Sequence, residues 1–136
     1  VNSAVTLLVK VIDIKNFKEK LVMVDGGTNL APSLAYESHH IVNVTSKGTN
    51  FETVKLAGPL CTESDILCRS TEMLSVNEGD VIEIFDVGAY SMCQSIQFIK
   101  PRAGAVLVRE NGDMIEVRRR ENYKDLIRLD TPLRSL

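Results

Sequence analysis

The chain has 136 residues, 44% of them hydrophobic and 25% charged, with a formal net charge of −2. That length suits one domain with a full core, residues 1–136, and the charge balance excludes a nucleic acid or an anionic membrane as a partner held by bulk electrostatics. No apolar run nears the roughly 20 residues that span a bilayer.

Val1-Asn2-Ser3-Ala4 has neither the basic region nor the cleavage pattern of a signal peptide. The chain starts without methionine and enters a strand at once, as a piece cut from a longer protein would. Three cysteines, Cys61, Cys68 and Cys93, are an odd number without framework spacing. They suit a reducing compartment, so the expected location is cytoplasmic.

In chain order, Val5–Ile14 alternates and is rich in Val, Ile and Leu, and Lys20–Asp25 reads as its hairpin partner. Gly26-Gly27 stops that run. Leu30–Ser38 has room for a helical turn or two, with Pro32 tolerated near its start. His39–Thr45 and Thr53–Ala57 read as a second pair across the turn-rich 46–50. Asn77-Glu78-Gly79-Asp80 is a turn before the strand Val81–Asp86, and Met92–Ile99 reads as another strand, stopped by Lys100-Pro101. Ala105–Glu110 and Asp113–Arg118 flank Asn111-Gly112, a strong hairpin signal. Glu121–Leu129 puts Tyr123, Leu126 and Ile127 at helical spacing. Seven to nine short strands predict an all-β barrel or sandwich with a short C-terminal helix.

Two turns carry reactive side chains directly after apolar runs. In Gly58-Pro59-Leu60-Cys61-Thr62-Glu63-Ser64-Asp65 the glycine and proline break the strand and leave a thiol in a turn. In Asp86-Val87-Gly88-Ala89-Tyr90 the small residues let the backbone approach closely while a phenol projects. Sites gather on loops held by a rigid scaffold. A cysteine is ordinarily a small buried hydrophobe, and Cys68 and Cys93 keep that reading. His39-His40 point to opposite faces of a strand and cannot readily share one ion, so no metal is expected. Asp25-Gly26-Gly27 lacks the Gly-x-Gly-x-x-Gly that opens a helix and reads as a strand-ending turn. Arg118-Arg119-Arg120 reads as a solvated face or local ion pairs.

These two turns, with Val24-Asp25-Gly26-Gly27-Thr28-Asn29 and the final segments Gly104–Val108 and Arg118–Leu126, resemble the C-terminal β domain of the fold-type III pyridoxal-phosphate decarboxylases. The resemblance runs from the first strand to about Asp130, and the order and spacing of the motifs carry it. It implies a Greek-key β-barrel like the C-terminal domain of alanine racemase. It implies pyridoxal 5′-phosphate as cofactor, bound mainly by an N-terminal (β/α)8 barrel absent from this chain. It further implies a homodimer acting on a small amino-acid-type substrate, with residues contributed across the dimer interface. Cys61 then faces substrate as the proton donor after carbon dioxide leaves. Asp65, four residues after the cysteine as in the family turn, is a structural hydrogen-bonding partner. Tyr90 hydrogen-bonds the cofactor phosphate, with Gly88 supporting its turn. A non-catalytic, stand-alone β-barrel interaction module is the alternative.

Two departures from the family pattern bear on substrate. Diaminopimelate decarboxylases have a glutamate directly after the cysteine, and ornithine and lysine decarboxylases an aspartate; here the position is Thr62, with Glu63 next. Thr62 and Glu63 are the candidate substrate-binding residues. The family's arginine and tyrosine around a Pro-Ala-Leu segment have no counterpart in Ala31-Pro32-Ser33-Leu34-Ala35, with Tyr36 one position away. Alanine cannot replace a guanidinium fork at a carboxylate. The expected substrate is therefore not meso-diaminopimelate but one with a neutral or differently extended distal group.

Overall fold

A computed structural model describes residues 1–131, which group into two compact units, Val1–Ser95 and a second that begins at Ile96. The first holds six strands: β1 (Leu7–Asn16), β2 (Lys20–Val24), β3 (Ile41–Asn43), β4 (Phe51–Ala57), β5 (Ile66–Leu74) and β6 (Val81–Ile84). Their order across the sheet is β3-β6-β1-β2-β4-β5, and β3 also touches β5, so the sheet curls into a nearly closed barrel. Alternation explains the core. Val9 and Val11 of β1, Val22 and Val24 of β2, Val54 and Leu56 of β4, and Ile82 and Ile84 of β6 all point inward and are buried. Each such side chain contributes about 1.5–3 kcal/mol by leaving water.

The expected β1–β2 hairpin is present, with Val11 opposite Val24 and Asn16 opposite Lys20. The expected pairing of the third and fourth strands is not. β3 pairs antiparallel with β6, while β4 lies parallel to β2 and antiparallel to β5. Side chains hold β3 to its actual neighbour. Asn43 Nδ2 donates to Asp80 Oδ2 at 2.8 Å, and the Val81 N–H donates to Thr45 Oγ1 at 2.8 Å. β5 has no counterpart among the expected strands. Its middle, Arg69-Ser70-Thr71-Glu72, is polar and largely exposed, so only pairing with β4 defines it.

Met92–Ile99 is not a strand. Ser91–Gln94 forms a single helical turn, α1, and the following residues are irregular. Local bonds outcompete the alternating pattern: the Gln94 N–H donates to the Tyr90 carbonyl at 2.9 Å, and Ser95 Oγ to the Met92 carbonyl at 2.7 Å. Cys93, expected to be buried, is consequently exposed on α1, while Cys68 is half-buried against the core.

The second unit contains the expected hairpin of β7 (Ala105–Val108) and β8 (Met114–Arg118), and within the expected helix Glu121–Leu129 only the turn α2 (Tyr123–Leu126) is helical. Asn122 caps α2: its Oδ1 accepts from the Lys124 N–H, and the Asp125 carboxylate accepts from the Asn122 N–H. Arg119 grips the same carboxylate with two bonds of 2.7 and 2.6 Å, which hold Asp125 far below the ordinary carboxylate range. In the arginine run, that pair is a local ion pair.

One ion pair in the barrel predicts acid sensitivity. Lys20 Nζ donates to Glu52 Oε1 at 2.6 Å and the Val76 N–H to the same oxygen at 2.7 Å. Burial pushes the Glu52 carboxyl up, but these two donors outweigh it and leave its pKa lowered. A depressed folded pKa gives stability that is complete above the unfolded value, about 4.3, and is lost as pH falls through the folded one. Glu52→Gln should therefore cost about 1–2 kcal/mol at neutral pH and progressively less as pH falls through the folded pKa. Denaturant unfolding across that range checks it; an equal loss at both ends would remove Glu52 from the acid response.

Candidate functional site

Strand direction gathers the motifs. β1 is antiparallel to both β2 and β6, and β2 is parallel to β4. So β2, β4 and β6 all run toward one end of the sheet, and the turns after them, Asp25–Asn29, Gly58–Asp65 and Asp86–Tyr90, emerge there. β3 is antiparallel to β6 and begins at the same end, which also places the 3₁₀ turn Pro32–Ala35 there. The turns bearing Cys61 and Tyr90 follow strands that are not neighbours, since β1 and β2 lie between β6 and β4.

Asp65 joins two of these turns. It is 2% exposed, and its Oδ1 accepts from the Thr28 N–H at 2.7 Å and from Thr28 Oγ1 at 3.0 Å. Oδ2 accepts from the Leu60 N–H at 2.8 Å. Three donors satisfy a carboxylate that no cation among the described residues pairs with, which is the condition for burying one. A Cβ on Gly58 would collide with this carboxylate and with the Gly27 backbone, so glycine is required for the approach. The Asp65 N–H donates to the Thr62 carbonyl at 3.1 Å and the Gly58 N–H to the Asp65 carbonyl at 2.9 Å, closing the turn into a compact loop. Cys61 stands at its outer rim, exposed and unbridged. Thr62 and Glu63 are exposed beside it, the Thr62 hydroxyl sharing a 2.9 Å bond with that of Ser64.

Tyr90 is 68% exposed and its backbone has a positive φ, with φ 62° and ψ −31°. For a tyrosine that conformation costs about 1–2 kcal/mol, and it persists because its surroundings impose it. Asn2 holds one side of the turn. Its carbonyl accepts from the Gly88 N–H at 2.9 Å and its Oδ1 from the Ala89 N–H at 3.2 Å. A Cβ on Gly88 would strike the Val1 and Asn2 carbonyls. On the other side, Ser91 Oγ lies 2.6 Å from Ser33 Oγ of the 3₁₀ turn, and both serines are buried.

The arrangement offers an exposed thiol and an exposed phenol on braced turns at one end of a rigid barrel, suited to donate a proton and to hydrogen-bond an anion. Among the described residues no group of three or more His, Cys, Asp or Glu is placed to hold a metal. His39 is occupied structurally, its Nδ1–H donating to the Phe85 carbonyl at 2.9 Å, and the His40 ring lies against Phe85. No helix among the described residues is long and apolar enough to cross a membrane. Reading the sequence missed Thr28, Ser33, Ser91 and Asn2 as bracing residues. The one available signal was polar side chains within otherwise apolar or glycine-rich segments.

Comparison with known proteins adds an independent line. The family profile described as the C-terminal sheet domain of pyridoxal-dependent decarboxylases matches residues 1–88. A diaminopimelate decarboxylase of Methanothermobacter thermautotrophicus is 38% identical over 133 residues, 94% of this chain and 31% of the relative. That of Methanocaldococcus jannaschii is 40% identical over 114 residues, 82% of this chain and 26% of the relative. A crystal structure of the M. jannaschii enzyme superposes with a TM-score of 0.90 at 38% identity, covering 96% of this chain and 31% of that one. The chain thus spans about a third of the length of such relatives.

Proposed function

Given that this chain belongs to the pyridoxal-dependent decarboxylases, as their C-terminal sheet domain, we propose that it completes the active site of an enzyme that removes the α-carboxylate of an amino-acid substrate. The observation that carries the reading is that the Cys61 and Tyr90 turns emerge at the same barrel end, each braced by side-chain hydrogen bonds. Bound pyridoxal phosphate supplies the electron sink for loss of carbon dioxide. With that group bound, the exposed Tyr90 hydroxyl would donate to a phosphate oxygen, and the exposed Cys61 thiol would deliver the proton that replaces the carboxylate at the α carbon. No lysine lies in these turns, so the cofactor's anchoring amine belongs to the (β/α)8 barrel of the full-length protein. Thr62 and Glu63 face the substrate's distal part. Asp65 and Gly88 act through the turns they brace. The working form is a cytoplasmic homodimer whose subunits exchange these turns.

Two observations point to different substrates. Thr62 after the cysteine, and alanines at 31 and 35 where a carboxylate site needs an arginine and a tyrosine, favour a substrate with a neutral or extended distal group. The relatives named as diaminopimelate decarboxylases favour that substrate instead. The residues that would touch the distal group decide specificity, and we take the first reading. Carbon dioxide release by the full-length protein with pyridoxal phosphate, across diaminopimelate, lysine, ornithine and neutral or amide-extended amino acids, is the test. The expected kcat/KM for diaminopimelate is at least about tenfold below the best neutral substrate. The reverse order would assign diaminopimelate. No release from any of them would favour the stand-alone module.

A further inference from the structure

The hydroxyls of Ser33 and Ser91 meet at 2.6 Å, with the two residues 2% and 1% exposed. They are 58 positions apart and belong to short, irregular elements, the 3₁₀ turn Pro32–Ala35 and α1, neither of which has a side-chain cap. Ser91 directly follows Tyr90, whose positive-φ backbone has no local hydrogen bond from its own side chain to hold it. Asn2 braces the Gly88–Ala89 side, and on the other side the bonds around Tyr90 run within the turn itself: the Ser91 N–H to the Ala89 carbonyl, and the Gln94 N–H and Cys93 Sγ to the Tyr90 carbonyl. On the α1 side, then, the serine pair is the side-chain bond tying the turn to a separate part of the barrel. Two buried hydroxyls that, among the described residues, hydrogen-bond to each other do little that an apolar pair of the same size would not do for stability. They do fix a distance and an orientation.

We infer that Ser33 and Ser91 are positioning residues that set the Tyr90 phenol for the anion it binds, the phosphate of pyridoxal phosphate. The inference rests on the assignment of Tyr90 to that phosphate made above. A residue anchored through its neighbour keeps its ring direction only while the anchor holds, because the strained backbone relaxes once the tether is cut.

The experiment uses the full-length protein, with pyridoxal phosphate titrated into the cofactor-free form and melting temperature measured in parallel. Ser33→Ala and Ser91→Ala should each raise the dissociation constant of pyridoxal phosphate about three- to tenfold and lower the melting temperature, since each leaves one buried hydroxyl unpaired. The double variant S33A/S91A separates positioning from packing. It leaves no orphaned hydroxyl, so its melting temperature should recover toward that of the unaltered protein while the dissociation constant stays raised. In a Tyr90→Phe background the double change should have little further effect on affinity, because the group it positions is gone. An affinity that recovers together with the melting temperature would overturn the inference and leave the pair as packing. Tyr90→Phe binding as tightly as the unaltered protein would remove the Tyr90 assignment itself. A weakened Tyr90→Phe beside a double variant of normal affinity would remove the serine pair alone. If either single variant fails to fold, the double variant still decides.

Discussion

Cys61→Ala in the full-length protein should lower the turnover number by about 10²–10⁴-fold while changing pyridoxal phosphate affinity little, the range a positioned general acid contributes. Two features of the turn motivate that size. The thiol is exposed at the rim of a loop whose base is fixed by the Asp65 carboxylate, a position in which a proton donor would leave access open. Cys68 is half-buried and Cys93 lies on α1, in a different turn, so neither replaces it. The pattern of loss discriminates further. A missing proton donor lowers kcat and leaves KM nearly unchanged, and it diverts turnovers toward abortive protonation that consumes the cofactor. Steady-state kinetics with product analysis reads both. Turnover within about twofold of the unaltered enzyme would return Cys61 to an ordinary surface cysteine.

Asp65→Ala is expected to destabilise the barrel by about 3–5 kcal/mol. It strips the acceptor from the Thr28 N–H, the Thr28 hydroxyl and the Leu60 N–H at a site 2% exposed, and leaves a hole between two glycine turns. Asp65→Asn should cost less, about 1–3 kcal/mol, because its amide oxygen can still serve Thr28 while its NH2 group faces the Leu60 N–H donor. Denaturant midpoints of the two variants check the order as well as the size. A loss below about 1 kcal/mol for Asp65→Ala would mean that the turns stand without their shared carboxylate. Because the same bonds set the loop that carries Cys61, the Asp65→Asn protein should also lose turnover in excess of its fraction unfolded.

Much of this was legible from the sequence because the signals are local. Alternation at Val9, Val11, Val22, Val24, Ile82 and Ile84 follows from the period of a strand with one buried face, whatever lies beside it. Asn111-Gly112 is settled within a few residues, and the β1–β2 hairpin by one short connection. The turn at Gly58–Asp65 and that at Asp86–Tyr90 could be picked out as loops with reactive groups on the same footing. Pairing between distant strands was not legible. β3 with β6, β4 with β2, and the very existence of β5 depend on which edges meet after the barrel curls, and a polar stretch such as Arg69–Glu72 becomes a strand only when β4 satisfies its backbone. The failure at Met92–Ile99 has the same origin in reverse. A period of two predicts a strand only where a neighbour accepts it, and here the Tyr90 carbonyl and the Ser95 hydroxyl closed a helical turn first. The sequence by itself thus determined which residues are apolar, which turns are sharp and which side chains are reactive. Only tertiary structure decided that three of those turns share one end of the sheet, that Asp65 ties two of them and that Ser33 reaches Ser91, because each depends on strand direction and on contacts between residues far apart in the chain.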